Sequence, residues 1–297
     1  MSYEIKPVAL DDPELSEQIV ELLRSAFGGQ VDLASLKRNT TTGAAQPSLY
    51  LAAIEDGEVI GFNAFISHEL LFEVRTISCF QSCWTATSPA HRGKRIFQAI
   101  IKAAHDILKD RGAAFVFGFP NDSSYPLFTK KLGYREIPSL KWQMLHIPGL
   151  RGSWFSTDRQ PDDSWKRNAI DQNDVQLIGW KRKDIGADVL VATYENSLAW
   201  GVRRVGKRRG FPIAYLDVGG ISLGDSGHLS LVLVALRSMA KPTLYTQMVT
   251  VEGNGLNSLL GRVGPAETNC LIVFDLNLDT SSGVRFNFFA GIRDVYR

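Results

Sequence analysis

The sequence predicts an α/β fold, a mixed sheet with helices on both faces, built as two tandem halves. Three observations predict it. Strand-like and helix-like periods alternate along the first half in the order βααβββαβαβ. Helix-punctuating residues recur at matched places: Phe97 and Gly133 lie 36 positions apart, and so do His228 and Gly264. Between the halves, residues 149–185 are rich in Gly, Pro, Ser and Asp and carry no period. A strand–helix–strand–helix–Gly–strand module therefore reads twice. The predicted division is 1–148, a linker or surface excursion over 149–185, and a second half over 186–297.

Each element has its own signal. Residues 2–8 read as a strand, and Leu15, Ile19, Leu22, Leu23 and Ala26 make one helical stripe that the glycines at 28–29 stop. A short helix follows near 33–38. "LYLAAIEDGEVIGFNAFI" is a hairpin turned at Asp56-Gly57, and "VRTISCFQSCWTAT" is a third long strand rich in β-branched and aromatic residues. Phe97, Ile100, Ile101, Ala104, Ile107 and Leu108 form the next helical stripe, ended by Gly112. "AAFVFGF" is apolar throughout, as a central strand requires. A helix over 124–132 stops at Gly133, and 134–147 returns as strand. In the second half, "FPIAYLDVGGISLGD" reads as a strand-like, hairpin-forming segment. A helix over 228–239, a strand over 243–251, a helix over 254–263 and the strand "NCLIVFDLN" complete the repeat. Phe286, Phe288 and Phe289 read as core or cleft lining.

Composition narrows the function. With 297 residues and 44% hydrophobic side chains, the chain can bury a sizeable core. A net charge of +2 argues against a dedicated nucleic-acid binder. The N-terminus shows no secretory signal, and the apolar run at 229–236 is far short of the ~20 residues a membrane span needs. Cys79, Cys83 and Cys270 are an odd number without ligand spacing, which suits packing thiols in a reducing, cytoplasmic setting. None of the five histidines pairs at a metal spacing, so no metal is expected.

The stretch that carries chemistry is "SPAHRGKRIFQAII", residues 88–101. A basic turn runs straight into a helix whose first N–H groups are unpaired and whose dipole attracts phosphate. These residues, with "FPNDSSYPLFTKKLGY" at 119–134, resemble the GNAT superfamily of N-acyltransferases. The closest likeness is to long bacterial members associated with surface-polysaccharide biosynthesis. The family loop Q/R-x-x-G-x-G/A falls on Arg92, Gly93, Lys94, Arg95, Ile96 and Phe97. The resemblance is convincing over about 1–147 and diffuse over 186–297, where the cofactor loop is missing.

The resemblance implies acetyl-CoA or another acyl-CoA as co-substrate. Its pyrophosphate would lie on Arg92–Phe97, its pantetheine beside Thr85, Ala86 and Thr87, and Asn121 would leave the fifth strand near it. Arg95 and Phe97 replace the family's last two glycines. Arg95 is expected in ordinary helical geometry with its side chain clear of the pyrophosphate. The family's thiolate-protonating tyrosine falls on Thr129, with Tyr125 one turn earlier. The third long strand holds no carboxylate, which leaves Glu69 and Glu73 as candidate bases. A cluster of five cations within 203–209, with Arg203 and Arg204 at its head, could receive an anionic or acidic-sugar substrate. The implied reaction is acyl transfer to a small polar amine such as an amino sugar. The alternative is a catalytically silent module that binds a glycan, nucleotide or protein on the same scaffold.

Overall fold

A computed structural model describes residues 3–28, 31–73, 75–145, 167–185, 188–208, 210–223, 229–240, 242–259, 266–289 and 292. The first half runs β1 (Glu4–Pro7), α1 (Pro13–Phe27), α2 (Leu33–Thr40), β2 (Leu49–Glu55), β3 (Glu58–Phe72) and β4 (Arg75–Thr87). It continues with α3 (Ile96–Asp110), β5 (Phe115–Gly118), α4 (Tyr125–Lys131) and β6 (Arg135–Leu145). This is the order the sequence predicts. The local causes are visible: Asp12 Oδ1 accepts from the N–H groups of Glu14 and Leu15 at 3.1 Å, Pro13 opens α1, and Gly28 closes it in left-handed geometry.

The chain continues with β7 (Ala169–Gln172), α5 (Asp174–Ile185), β8 (Asp188–Tyr194), β9 (Ser197–Arg208), β10 (Phe211–Ser222), α6 (Leu229–Met239), β11 (Tyr245–Val251), β12 (Ala266–Asp275) and β13 (Arg285–Asn287). Three expectations need correction here. The aperiodic stretch is not all linker: β7 pairs with β3 and β13, and α5 buries Leu177, Ile178 and Trp180. A four-residue strand is too short to show a period, and Lys181, itself fully buried, breaks the apolar stripe of α5. Residues 146–166 lie outside the described residues. "FPIAYLDVGGIS" is one strand rather than a hairpin, and its hairpin partner is β9, the segment that carries the basic cluster. The helix expected over 254–263 is a 3-10 turn over Gly255–Leu259, with 260–263 outside the described residues.

The main sheet has the order β1-β2-β3-β4-β5-β12-β6-β11-β10-β9-β8. β12, from the end of the chain, lies between β5 and β6, antiparallel to both. β6 in turn pairs antiparallel with β11. Outward from this central pair the two arms match: β4 is parallel to β5 as β10 is to β11, and the remaining neighbours are antiparallel. The module repeats, and the two copies have exchanged their last strands.

Helices cover both faces of the first half. Ile19, Leu23, Leu36 and Trp180 pack with Phe62, Ile66 and Phe117 on one face. Ile96, Ile100, Ile101, Ala104 and Phe128 pack with Phe65 and Phe80 on the other. In the second half α6 buries Val232, Leu233 and Leu236 against Leu216 and Val218. Cys79, Cys83 and Cys270 are buried.

Candidate functional site

Two features at the end of β4 build a wedge. β4 and β5 pair only at Phe80↔Val116 and Gln81↔Phe117. Beyond them β4 bulges: Ala64 faces Cys83 and Phe62 faces Ala86, so Trp84 and Thr85 together oppose Asn63, with Trp84 at φ 51°. The bulge turns β4 away from β5. Among the described residues, the β5-side edge of β4 past Gln81, including Thr85–Thr87, has no strand partner. Inside the bulge, Thr85 Oγ1 donates to Asn63 Oδ1, and Asn63 Nδ2 meets Ser82 Oγ at 3.2 Å.

The loop after β4 is held on the sheet from both ends. Ser88 N–H donates to Ile60 O at 2.9 Å. α3 sits directly on Gly61, where a Cβ would lie 2.7 Å from Ile96 Cγ2, so a larger residue would lift the helix head. Glu55 on β2 clasps the loop: its Oε2 meets His91 Nε2 at 2.9 Å and Lys94 Nζ at 4.0 Å. Between these anchors Gly93 adopts φ 83° and Arg95 φ 61°, ψ 20°. Arg95 is thus left-handed, not helical as expected; it takes the backbone conformation that the missing glycine would take freely. Its side chain is exposed and caps nothing. No acceptor among the described residues meets the N–H groups of Gly93, Arg95, Ile96, Phe97 or Gln98. Five donors thus stand open beside the exposed Arg92, Lys94 and Arg95. Phe97 points elsewhere, edge-on to Phe128 at 5.2 Å, which is why this position tolerates a large side chain.

The other candidates are less well placed. Asn121 is exposed at the wedge mouth, where its Oδ1 accepts from Ser124 N–H at 2.9 Å and so supports the start of α4. Thr129 Oγ1 donates to Tyr125 O at 3.0 Å and is committed to its own helix. Tyr125 donates its hydroxyl to Glu136, a bond that pushes its pKa up to about 12 and makes it a weaker acid than free tyrosine. Glu69 lies six residues along β3 from Asn63, about 20 Å at strand rise, and accepts from Ala45 N–H at 3.1 Å. Glu73 is farther still, exposed at φ 54° in the β3–β4 turn. Neither glutamate joins the wedge.

Arg203 and Arg204 correct a further expectation. They lie within β9, opposite Leu216 and Tyr215, and both are engaged within the sheet rather than open to a substrate. Arg203 Nη1 is 3.7 Å from Asp188, and Arg204 pairs with buried Asp217 and covers the Tyr215 ring. β9 is six strands from β4, about 29 Å at strand spacing. Arg209 lies outside the described residues.

Sequence reasoning missed Asn63, Glu55 and Trp84. Asn63 had a signal, a lone amide inside "VIGFNAFI". Glu55 and the bulge at Trp84 had none.

Residues 8–137 match the family model described as an acetyltransferase (GNAT) domain. No curated protein matches the sequence. The fold is similar to that of a conserved protein of unknown function from Enterococcus faecalis V583, described as a probable N-acyltransferase. Identity is 12% and the TM-score 0.65, over 94% of this chain and 74% of that one. A GCN5-related N-acetyltransferase from Anabaena variabilis has 10% identity and a TM-score of 0.61, over 96% and 75% of the two chains. Eis1 from Mycobacterium abscessus has 10% identity and a TM-score of 0.57, over 96% and 76%. At these identities the likeness is one of fold. Residues 8–137 are thus similar to a GNAT acetyltransferase domain, and they lie within a mixed α/β sheet of two similar halves.

Proposed function

We propose that the protein is an acyl-CoA-dependent N-acyltransferase, transferring an acetyl group to a small polar amine such as an amino sugar. One observation carries this reading: five open N–H donors at the head of α3 adjoin an unpaired strand edge in the β4–β5 wedge. The first suits a pyrophosphate and the second an amide-bearing pantetheine arm. When bound, the co-substrate supplies an acyl carbon activated as a thioester. The amine nitrogen then bonds to that carbon, the thiolate leaves, and the amine gives up a proton.

The chain's part is mainly positioning. Arg92, Lys94 and the open N–H groups would hold the phosphates. The free N–H groups of β4 would orient and polarise the acyl carbonyl, an effect worth several kcal/mol where donors are fixed in advance. Glu55, His91 and Gly61 keep the loop in register with β4. The same observations support only the first half as the cofactor half, because the second has no basic loop before α6.

A second reading, a silent binding module, is favoured by the positive φ of Arg95, by the commitment of Tyr125 to Glu136 and of Thr129 to Tyr125, and by the distance of Glu69 and Glu73. Calorimetry with acetyl-CoA and CoA separates the two. The enzyme reading expects micromolar binding of both, and acetylation of at least one member of a panel of amino sugars and sugar nucleotides. Binding without acetylation of any amine tested would support the silent module. Absence of binding would end the enzyme reading.

A further inference from the structure

The two ends of the main sheet are finished differently. β1, at one end, is four residues long and carries Lys6 and Pro7, features that discourage a further strand from adding. β8, at the other end, runs seven residues, Asp188–Tyr194, with no lysine, proline or glycine. Its register on β9 is unbroken from Asp188↔Arg203 to Tyr194↔Ser197, so no bulge twists it away. Among the described residues no strand lies beyond it, and its outward N–H and C=O groups meet no backbone partner. A bare edge of this length is a template for one more strand.

The helix above that edge is bare as well. α6 packs over β8 and β9, with the facing pair Ala192↔Ala199 in its core. A surface helix ordinarily turns charge outward, but α6 has a single charged residue, Arg237. Leu231, Ala235 and Met239 recur every fourth residue and so share one row; Leu231 is 44% exposed and Met239 51%. Arg237 lies two residues from Met239, about 200° round the helix, on the opposite side. α6 joins the parallel strands β10 and β11, a connection that is right-handed in nearly all proteins. In that hand the uncharged row faces the β8 side.

We infer that β8 and the α6 row bind a second copy of this chain, edge to edge across a two-fold axis. Both layers are self-complementary. Antiparallel pairing about Val191 sets Asp188 against Tyr194, Val189 against Thr193 and Leu190 against Ala192, so no like charges meet. With α6 midway between β8 and β9, the two α6 axes come two strand spacings apart, about 10 Å. That is the distance at which helices pack, and it brings the two uncharged rows together. The inference does not depend on the acyltransfer reading.

Sedimentation equilibrium of the full chain at micromolar concentration tests this. The expected mass is twice the 32.9 kDa of one chain. Leu231→Glu combined with Met239→Glu alters exposed side chains, so the fold should keep its circular dichroism while dimerisation weakens at least about tenfold. Val191→Cys reads the register. Facing residues of an antiparallel pair lie about 4.5–5.5 Å apart at Cα, within disulfide range, and the native cysteines are buried. Mild oxidation should therefore link Val191→Cys chains into covalent dimers, and should not link Phe211→Cys, equally accessible at 73% exposure but beyond the end of β8. A monomer, an undiminished dimer in the double variant, or Val191→Cys linking no faster than Phe211→Cys would each overturn the inference. Should Val191→Cys fail to fold, hydrogen exchange of the native chain decides: slower exchange over 188–194 at higher concentration supports the edge, and unchanged exchange overturns it.

Discussion

Replacing Arg95 by alanine and, separately, by glycine divides its backbone strain from its charge. At φ 61°, ψ 20° an L-residue carries roughly 1–2 kcal/mol of strain that glycine avoids. Glycine returns about 0.4–1 kcal/mol through the greater freedom of its unfolded chain. Arg95→Gly should therefore be more stable than Arg95→Ala by about 1 kcal/mol, or roughly 2 °C in Tm for a chain of this length. Urea and thermal unfolding measure the difference. Binding tests the other half of the argument. The Arg95 side chain is exposed and caps nothing, so both variants should lose no more than about threefold in acetyl-CoA affinity, and less at high salt. Equal stabilities would refute the strain. An affinity gain of about tenfold or more in Arg95→Gly would show that the native side chain bars the ligand and that the loop is a relic.

Three other outcomes follow from the geometry. Glu55→Gln removes the charge that clasps His91 and Lys94, and should weaken acetyl-CoA binding about three- to tenfold at a stability cost near 1 kcal/mol; calorimetry and urea unfolding report the two. Arg204→Ala leaves Asp217 buried without its ion-pair partner and should destabilise by about 3 kcal/mol, whereas acetyl-CoA affinity and acceptor KM stay unchanged. Asp174 has a folded pKa raised from 3.8 to about 6, so its neutral form favours folding below 3.8 and that advantage is lost as pH rises through 6. Asp174→Asn should therefore stabilise the ligand-free chain by up to about 3 kcal/mol at pH 7.5 and by little at pH 4, measured as paired urea curves.

The fold was legible wherever one face of an element is apolar and the other wet. α1 and α3 show their stripes in sequence because a two-layer core sorts their residues. β7 and α5 were not legible, since one is four residues long and the other turns a lysine inward. β9 was not legible because Arg203, Arg204 and Lys207 interrupt any apolar pattern, although partners on β8 and β10 give the two arginines places in a sheet. At the site, the loop residues could be read and their backbone could not. Whether Arg95 takes a left-handed turn depends on Gly61, Ile60 and Glu55, which fix both ends of a short loop from a different part of the chain.

The exchanged strands explain why one wedge is open and the other plugged. Each wedge forms because a parallel pair diverges, β4 from β5 and β10 from β11, and each leaves backbone groups that need partners. In the second half the chain supplies them itself, because residues after β12 return past β11 and place Phe289 on Thr250. Among the described residues the first half has no such segment. Its last strand, β6, crosses the centre of the sheet to pair with β11, and β12 takes the place beside β5 on the side away from β4. Among the described residues the edge of β4 past Gln81 is left without a strand, next to a loop and helix head in which five N–H groups also lack acceptors. Unmet backbone donors cost free energy in an empty protein unless water or a ligand meets them. Their concentration at one wedge, with three exposed cations beside it, is the physical reason to look for the phosphorylated co-substrate there.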